Sequence, residues 1–265
     1  MTIEQIIVLA IVQGVTEFLP ISSSGHLILV PKLMHWQDQG LVVDVLTHLG
    51  TLFAILIYFW RDVWRLVVGF LELFRGKVTD DGKLAIFIIL ATIPAVAFGV
   101  FLKEFGYTDL ERNVAVVAWN TILYGILMLI ADMVGPQERT IKNMTLVGAL
   151  IIGVAQALAL IPGTSRSGVT MTAARFLGFT RPDSARFSFL LGIPATAGAI
   201  VFTVGDAVAS GEPITKDALL CAALTFVAGI LAIAFLMGLL RRISFLPFVL
   251  YRMVLGGFLL VLLYA

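Results

Sequence analysis

Apolar stretches of about 20 residues, the length an α-helix needs to cross roughly 30 Å of hydrocarbon, recur along this chain at 41–60, 84–102, 113–133, 185–205, 217–240 and 245–264. Hydrocarbon offers the backbone no hydrogen-bonding partner, so a segment inside it must satisfy its own N–H and C=O groups, as a helix or within a closed barrel. The short alternating pattern of barrel strands is missing from these stretches. Composition agrees: of 265 residues, 60% are hydrophobic and 13% charged, with a mean hydropathy of +1.02, outside the range of soluble domains. The sequence predicts an all-α integral membrane protein, a helical bundle with six full spans.

Two further regions, 1–34 and 144–179, are apolar but interrupted by Pro, Gly and Ser. These residues stop a helix through a lost donor, steric clash and competing side-chain hydrogen bonds. Each region reads as two half-length helices around a loop, a re-entrant hairpin, because irregular backbone at membrane depth is tolerated only inside protein or against a wet cavity. The two loops are related. Gln13-Gly14-Val15-Thr16-Glu17-Phe18-Leu19-Pro20-Ile21-Ser22-Ser23-Ser24-Gly25-His26 returns 143 residues later as Gln156-Ala157-Leu158-Ala159-Leu160-Ile161-Pro162-Gly163-Thr164-Ser165-Arg166-Ser167-Gly168. Gln13 meets Gln156, Ser22 meets Ser165, Ser24 meets Ser167 and Gly25 meets Gly168. The chain therefore divides into a first repeat, 1–133, and a second, 144–265, together one domain.

Charge orients the repeats. The segments 61–83, 134–143, 175–186 and 241–242 hold twelve of the eighteen Lys and Arg residues, whereas 103–112 and 206–216 hold only Lys103, Arg112 and Lys216. By the positive-inside rule the first set is cytoplasmic, and both termini fall outside. Three crossings separate the hairpins; three is odd, so the hairpins enter from opposite sides and the repeats have inverted topology. A net charge of +1 without a basic face argues against a nucleic-acid partner. The single cysteine, Cys221, excludes a disulfide framework and reads as a small buried hydrophobe. No basic region followed by a small-residue cleavage site opens the chain, so a removable signal peptide is not expected.

Polar atoms in hydrocarbon cost several kcal/mol unless paired or used, which singles out both loops as a site. Gln13 and Glu17 are four residues apart and share one helical face, an arrangement that suits a cation ligand or, alternatively, a hydrogen-bonded glue between helices. Ser22, Ser23 and Ser24 are candidate helix caps or substrate contacts. His26 is a candidate nucleophile, base or acid. In the second loop, Arg166 between Ser165 and Ser167, with Gly163, Gly168 and Thr170 nearby, has the composition of a phosphate site at a helix N-terminus; an ion pair with Glu17 is the competing reading. Asp44, His48 and Arg252 read as structural partners of one another or as lining of the way in, and Asp132 as a residue meeting the interface.

Gln-x-x-x-Glu-Phe-Leu-Pro-Ile-Ser-Ser-Ser-Gly-His, at Gln13 to His26, and Pro-Gly-x-Ser-Arg-Ser-Gly-x-Thr, at Pro162 to Thr170, resemble the undecaprenyl-diphosphate phosphatases linked to bacitracin resistance. The likeness runs through Leu49-Gly50-Thr51, Ile93-Pro94-Ala95, Phe187-Ser188-Phe189-Leu190-Leu191 and Arg242-Ile243-Ser244-Phe245-Leu246-Pro247-Phe248. It implies hydrolysis of a lipid carrier's diphosphate to the monophosphate, in a multi-pass protein of the bacterial cytoplasmic membrane with its site open to the outer side. It further implies that Glu17 and the position of Gln13 serve a divalent cation, Mg or Ca, and that Ser23 and His26 react or position. Arg166, Ser165, Ser167 and Thr170 would hold the diphosphate, with Ser22 and Ser24 beside them. Some family members have glutamate where this chain has Gln13, so Glu17 alone carries most of the expected metal affinity. Ser23, His26 and water all remain as nucleophile. The expected partners are a polyprenyl diphosphate and membrane lipid, with a homodimer left open. The alternative function is a secondary transporter or flippase of a lipid phosphate or small anion, since such proteins share inverted repeats and broken helices.

Overall fold

The computed structural model describes residues 1–37, 40–105, 113–209 and 215–264, without the side chains of Ser24, Ile28, Lys32, Leu41 and residues 202–209. The described residues form helices α1 (Ile3–Thr16), α2 (Ser23–Leu33), α3 (Leu41–Tyr58), α4 (Trp60–Leu73), α5 (Asp80–Glu104), α6 (Val114–Val134), α7 (Leu146–Leu158), α8 (Arg166–Phe176), α9 (Arg181–Ala209), α10 (Lys216–Leu239) and α11 (Leu246–Tyr264), with one 3₁₀ turn at Ile141–Asn143. No strand occurs among them. Helices α5, α6, α10 and α11, and α9 over Arg181–Val201, are long and apolar enough to cross a membrane, and α3 with α4 makes a sixth candidate bent by 81°. The stretches expected at 84–102, 113–133, 185–205, 217–240 and 245–264 each coincide with one of these helices. Much of the two loops placed at 103–112 and 206–216, including Arg112, lies outside the described residues.

The segment 61–83 differs from its reading as a connection. Residues 60–73 form a helix after the chain turns sharply at Phe59. Trp60, Trp64, Val67 and Leu71, spaced 4, 3 and 4 apart, make one exposed apolar stripe on it. The opposite side is anchored: Gly69 lies against the main chain of Asp81 and Gly82, and Arg186 of α9 grips the Asp62 carboxylate, its Nε donating at 3.0 Å. The charges of this segment are those of a solvated loop, whereas the apolar spacing between them is helical.

Asp132 also departs from expectation. Near the end of α6 it is not open to solvent but buried, accepting from Arg175 Nε at 3.2 Å, from Arg181 at 2.7 and 3.0 Å, and from the Phe245 amide at 3.0 Å. One carboxylate thereby joins α6, α8, α9 and the turn into α11. Arg175, wholly buried, spends its remaining donors on the carbonyls of Asp132, Gly135 and Pro136 where α6 ends and of Phe179 beyond α8. Lysine could not replace a fork that satisfies so many acceptors at once.

Small residues allow the short helices to press close. At Gly14 of α1 an added Cβ would meet Ala228 Cβ of α10 at 2.6 Å, and Gly153 of α7 lies directly on the Ala91 main chain of α5. Thus α1 packs on α10 and α7 on α5, while α3 meets α9 and α6 meets α11. The main apolar cluster, with Phe18, Phe187, Phe189 and Phe245 fully buried, surrounds the first loop. Phe18 meets Phe189 of α9 edge-on at 5.5 Å, which fixes the loop immediately after Glu17. Cys221 is buried in α10, its thiol directed at the Ile6 carbonyl.

Candidate active site

Both helical breaks are built in the same way. Ser22 and Ser165, matched in the sequence repeat, hold positive φ of 74° and 70°, a left-handed conformation disfavoured for a residue with a Cβ. Each turn throws the next helix, α2 or α8, off in a new direction. Ser165 caps α8, its hydroxyl accepting from the Gly168 amide at 3.2 Å and lying 3.3 Å from Ser167 Oγ. His26 braces the first turn: its Nδ1 donates to the Ser22 carbonyl at 2.7 Å, and its Nε2 lies 2.5 Å from the Tyr251 hydroxyl of α11. A carbonyl can only accept, so Nδ1 carries the proton; in the neutral ring Nε2 accepts from the tyrosine.

The two loops touch. Glu17, 7% exposed, receives Arg166 Nη2 on Oε1 at 3.0 Å, and Ser23 Oγ at 2.8 Å and Gln13 Nε2 at 3.1 Å on Oε2. Ser167 Oγ donates to the Leu19 carbonyl at 3.2 Å. Four of the expected residues, Gln13, Glu17, Ser23 and Arg166, therefore meet at one carboxylate. The others are placed around them. His26 is committed to Ser22 and Tyr251, not to Ser23 or Glu17. Ser22 and Ser165 are buried in the turns. Thr170 turns its hydroxyl to the Arg166 carbonyl at 2.7 Å and to Ser188 Oγ at 2.6 Å, so it supports the first turn of α8 from behind. The side chain of Ser24 lies outside the described residues.

Three buried atoms of this cluster have no hydrogen-bonding partner among the described residues: Gln13 Oε1, Thr164 Oγ1 and Arg166 Nη1. Orphaned polar atoms at this depth cost about 1–3 kcal/mol each unless a ligand takes them up. Arg166 Nη1 offers a donor to an anion, and Gln13, whose Nε2 meets the Glu17 carboxylate at 3.1 Å, would offer Oε1 to a cation there with its amide turned over. Among the described residues no group of three or more His, Cys, Asp or Glu is placed to hold a metal. A cation here would rest on Glu17, the Gln13 oxygen and oxygens brought by a ligand, a pattern suited to Mg²⁺ or Ca²⁺.

Several participants escaped sequence reasoning as site residues. Arg252 of α11, wholly buried, pairs with neither Asp44 nor His48. It donates to five carbonyls, those of Thr121 (3.0 Å), Asn120 (3.3 Å), Pro20 (3.3 Å), Gly163 (3.0 Å) and Thr164 (3.1 Å), and so fastens both loops to α6. His48 Nε2 lies 3.6 Å from Glu17 Oε2, and its Nδ1 donates to the Asp44 carbonyl at 2.8 Å. Asn120 Nδ2 holds the Pro162 carbonyl at 3.0 Å. Gly192 of α9 faces the Arg166 guanidinium so closely that any Cβ would overlap it. Polarity inside apolar helices was the available signal for Arg252, His48 and Asn120. Gly192 gave none.

The chain is similar to known proteins along nearly its whole length. The family described as Bacitracin resistance protein BacA matches residues 6–258. A protein of Jannaschia sp. (strain CCS1) named undecaprenyl-diphosphatase is 45% identical over 267 residues, covering 100% of both chains. A protein of the same name from Erythrobacter litoralis (strain HTCC2594) is 46% identical over 278 residues, covering 97% of this chain and 98% of its own. A third, from Roseobacter denitrificans, is 44% identical with both chains fully covered.

Proposed function

From the chain's membership of the Bacitracin resistance protein BacA family, we propose that it is an undecaprenyl-diphosphate phosphatase, releasing inorganic phosphate from the lipid carrier's diphosphate and leaving the monophosphate. The observation that carries this reading is the Ser23–Glu17–Arg166 chain, linked at 2.8 and 3.0 Å, in which one buried Arg166 donor has no partner among the described residues. Phosphoryl transfer needs an in-line nucleophile and compensation for charge on the transferring group. Ser23 Oγ forms a bond to the terminal phosphorus as its proton passes to Glu17. The bond from that phosphorus to the bridging oxygen breaks, and the lipid monophosphate leaves. Water then cleaves the phosphoserine to free Ser23 and inorganic phosphate. Arg166 Nη1 and the amides opening α8 meet the phosphoryl oxygens, where a helix N-terminus favours an anion. His26 holds the turn that aims Ser23. A divalent cation, Mg²⁺ or Ca²⁺, held by Glu17 and Gln13 Oε1 would neutralise further charge on the diphosphate.

The finer topology belongs to the same proposal: six spans, with α1–α2 and α7–α8 as re-entrant hairpins and 1–133 and 144–265 as inverted repeats. Its support is that exchanging the halves turns the α1–α10 contact into the α7–α5 contact and brings Ser22 onto Ser165. Helix α4, with Trp60 and Trp64 exposed beside Arg61 and Arg65, suits the cytoplasmic interface of a bacterial inner membrane, leaving the site open to the outer side. Both hairpins come from one chain, so the chemistry requires no second copy.

The test is phosphate release from a long-chain polyprenyl diphosphate by detergent-purified protein, with and without chelator. Ser23→Ala is expected to lower kcat by at least about a thousand-fold and to remove any trapped phosphoserine. Release undiminished in Ser23→Ala moves the attack to water or His26. No release from well-folded wild type that still binds the diphosphate replaces the enzyme with a carrier, which needs no nucleophile. Gly192→Ala carries a related expectation, because its Cβ displaces Arg166: kcat/KM falls about a hundred-fold, the effect of a 1 Å misplacement, while the unfolding temperature changes little.

A further inference from the structure

His48 has no part in the reaction just described, yet it faces the carboxylate at its centre. Its Nδ1 donates to the Asp44 carbonyl at 2.8 Å, so in the neutral ring Nε2 bears a lone pair. That lone pair looks at Glu17 Oε2 from 3.6 Å. The same Oε2 already accepts from Ser23 at 2.8 Å and from Gln13 at 3.1 Å. Two electron-rich atoms therefore oppose each other at a distance too long for a hydrogen bond. Adjacent ligands on one cation, with bonds of about 2.0–2.2 Å, stand roughly 3–3.5 Å apart, close to the spacing seen. Turning the Gln13 amide over would add its orphaned Oε1 to the same point. The His48 side chain is 35% exposed against 6% for Glu17, so the imidazole forms the more open edge of this pair.

We propose that His48 Nε2 and Glu17 Oε2 together ligate one divalent cation, with Gln13 Oε1 and phosphate oxygens completing its shell. The inference rests on the phosphatase reading only for those phosphate oxygens. An imidazole in the shell changes which metal is favoured: carboxylate and carbonyl oxygen suit Mg²⁺ and Ca²⁺, whereas nitrogen raises affinity for later divalent ions such as Co²⁺ and Zn²⁺. Gln13 offers a cation only a neutral amide oxygen, and the histidine supplies the stronger donor that the amide does not. The competing arrangement for the same atoms is an imidazolium–carboxylate ion pair with no metal, and the test separates the two.

Co²⁺ alone and Mg²⁺ alone are titrated into the purified full-length protein, its His48→Gln variant and its Glu17→Gln variant, without substrate. Folding of each variant is verified by unfolding temperature. Expected is Co²⁺ binding weakened about tenfold or more in His48→Gln, Mg²⁺ binding changed by less than about threefold, and Co²⁺ binding lost in Glu17→Gln. Bound Co²⁺ also shifts the Nδ1 proton resonance of a ligating imidazole far from its usual position; the signal is expected in wild type and absent in His48→Gln. Equal Co²⁺ affinity in wild type and His48→Gln, or no shifted imidazole proton, overturns the proposal in favour of the ion pair. Phosphate release measured in parallel keeps the two readings apart. Chelator-sensitive release with His48-independent Co²⁺ binding removes this inference alone, whereas His48-dependent Co²⁺ binding without any release removes the phosphatase alone.

Discussion

Replacing Arg166 by alanine is expected to lower kcat/KM for phosphate release from a polyprenyl diphosphate by about a thousand-fold or more, the range in which a guanidinium supplied to a transferring phosphoryl group operates. The side chain bridges the two hairpins: Nη2 holds Glu17 Oε1 at 3.0 Å, and Nη1 is buried without a partner among the described residues. Alanine removes the donor for the phosphoryl oxygens and also strips Glu17 of its ion-pair partner, so the Ser23 hydroxyl loses a fixed acceptor. Arg166→Lys keeps the charge but not the planar fork and cannot hold Glu17 and a phosphate at once. It is expected to recover less than about a tenth of the activity. Because both residues act on one carboxylate, Glu17→Gln combined with Arg166→Ala costs far less than the product of the separate losses. A loss below about tenfold in Arg166→Ala, in protein of unchanged unfolding temperature, moves phosphate binding elsewhere.

The spans and the loop residues were legible in the sequence for one physical reason. Hydrocarbon forces apolar length onto a crossing helix and makes every polar atom inside it expensive. Glu17, Ser23 and Arg166 stood out against that background, and the repeat of Gln13 to Gly25 at Gln156 to Gly168 paired the loops before their contact was seen. What stayed hidden depends on contacts made by the backbone of distant segments. Arg252 could be recognised as a buried charge, but its acceptors are carbonyls 88 to 232 residues away, and a carbonyl has no signature in a sequence. A span end usually reaches water, but at Asp132 α8, α9 and the turn into α11 close over the carboxylate. Helix α4 was hidden by its charges, although Trp60, Trp64, Val67 and Leu71 already had helical spacing. Gly192 is required by one guanidinium and by nothing in its own neighbourhood.

Arg252→Met should have the largest effect on stability, lowering it by about 4 kcal/mol or more, since five carbonyls lose a charged donor in a wholly buried place. Methionine fills the inner part of the arginine's volume and has no donors, so the loss combines the charged hydrogen bonds with the small void left by the guanidinium. For a chain of this length that corresponds to a fall of order 10 °C in unfolding temperature, readable by heating the detergent-solubilised protein. The loss is also local. The Pro20 carbonyl belongs to the first loop, those of Gly163 and Thr164 to the second, and those of Thr121 and Asn120 to α6; without the guanidinium the loops have no common anchor. Hydrogen exchange at residues 18–24 and 161–168 should therefore accelerate more than in the bundle helices. Arg252→Lys retains the charge but can reach fewer of the five acceptors, so its unfolding temperature should fall between those of wild type and Arg252→Met. If Arg252→Met unfolds within a degree or two of wild type with unchanged exchange in both loops, the carbonyls have found water, and the loops are held by the Glu17–Arg166 and Ser167–Leu19 contacts instead.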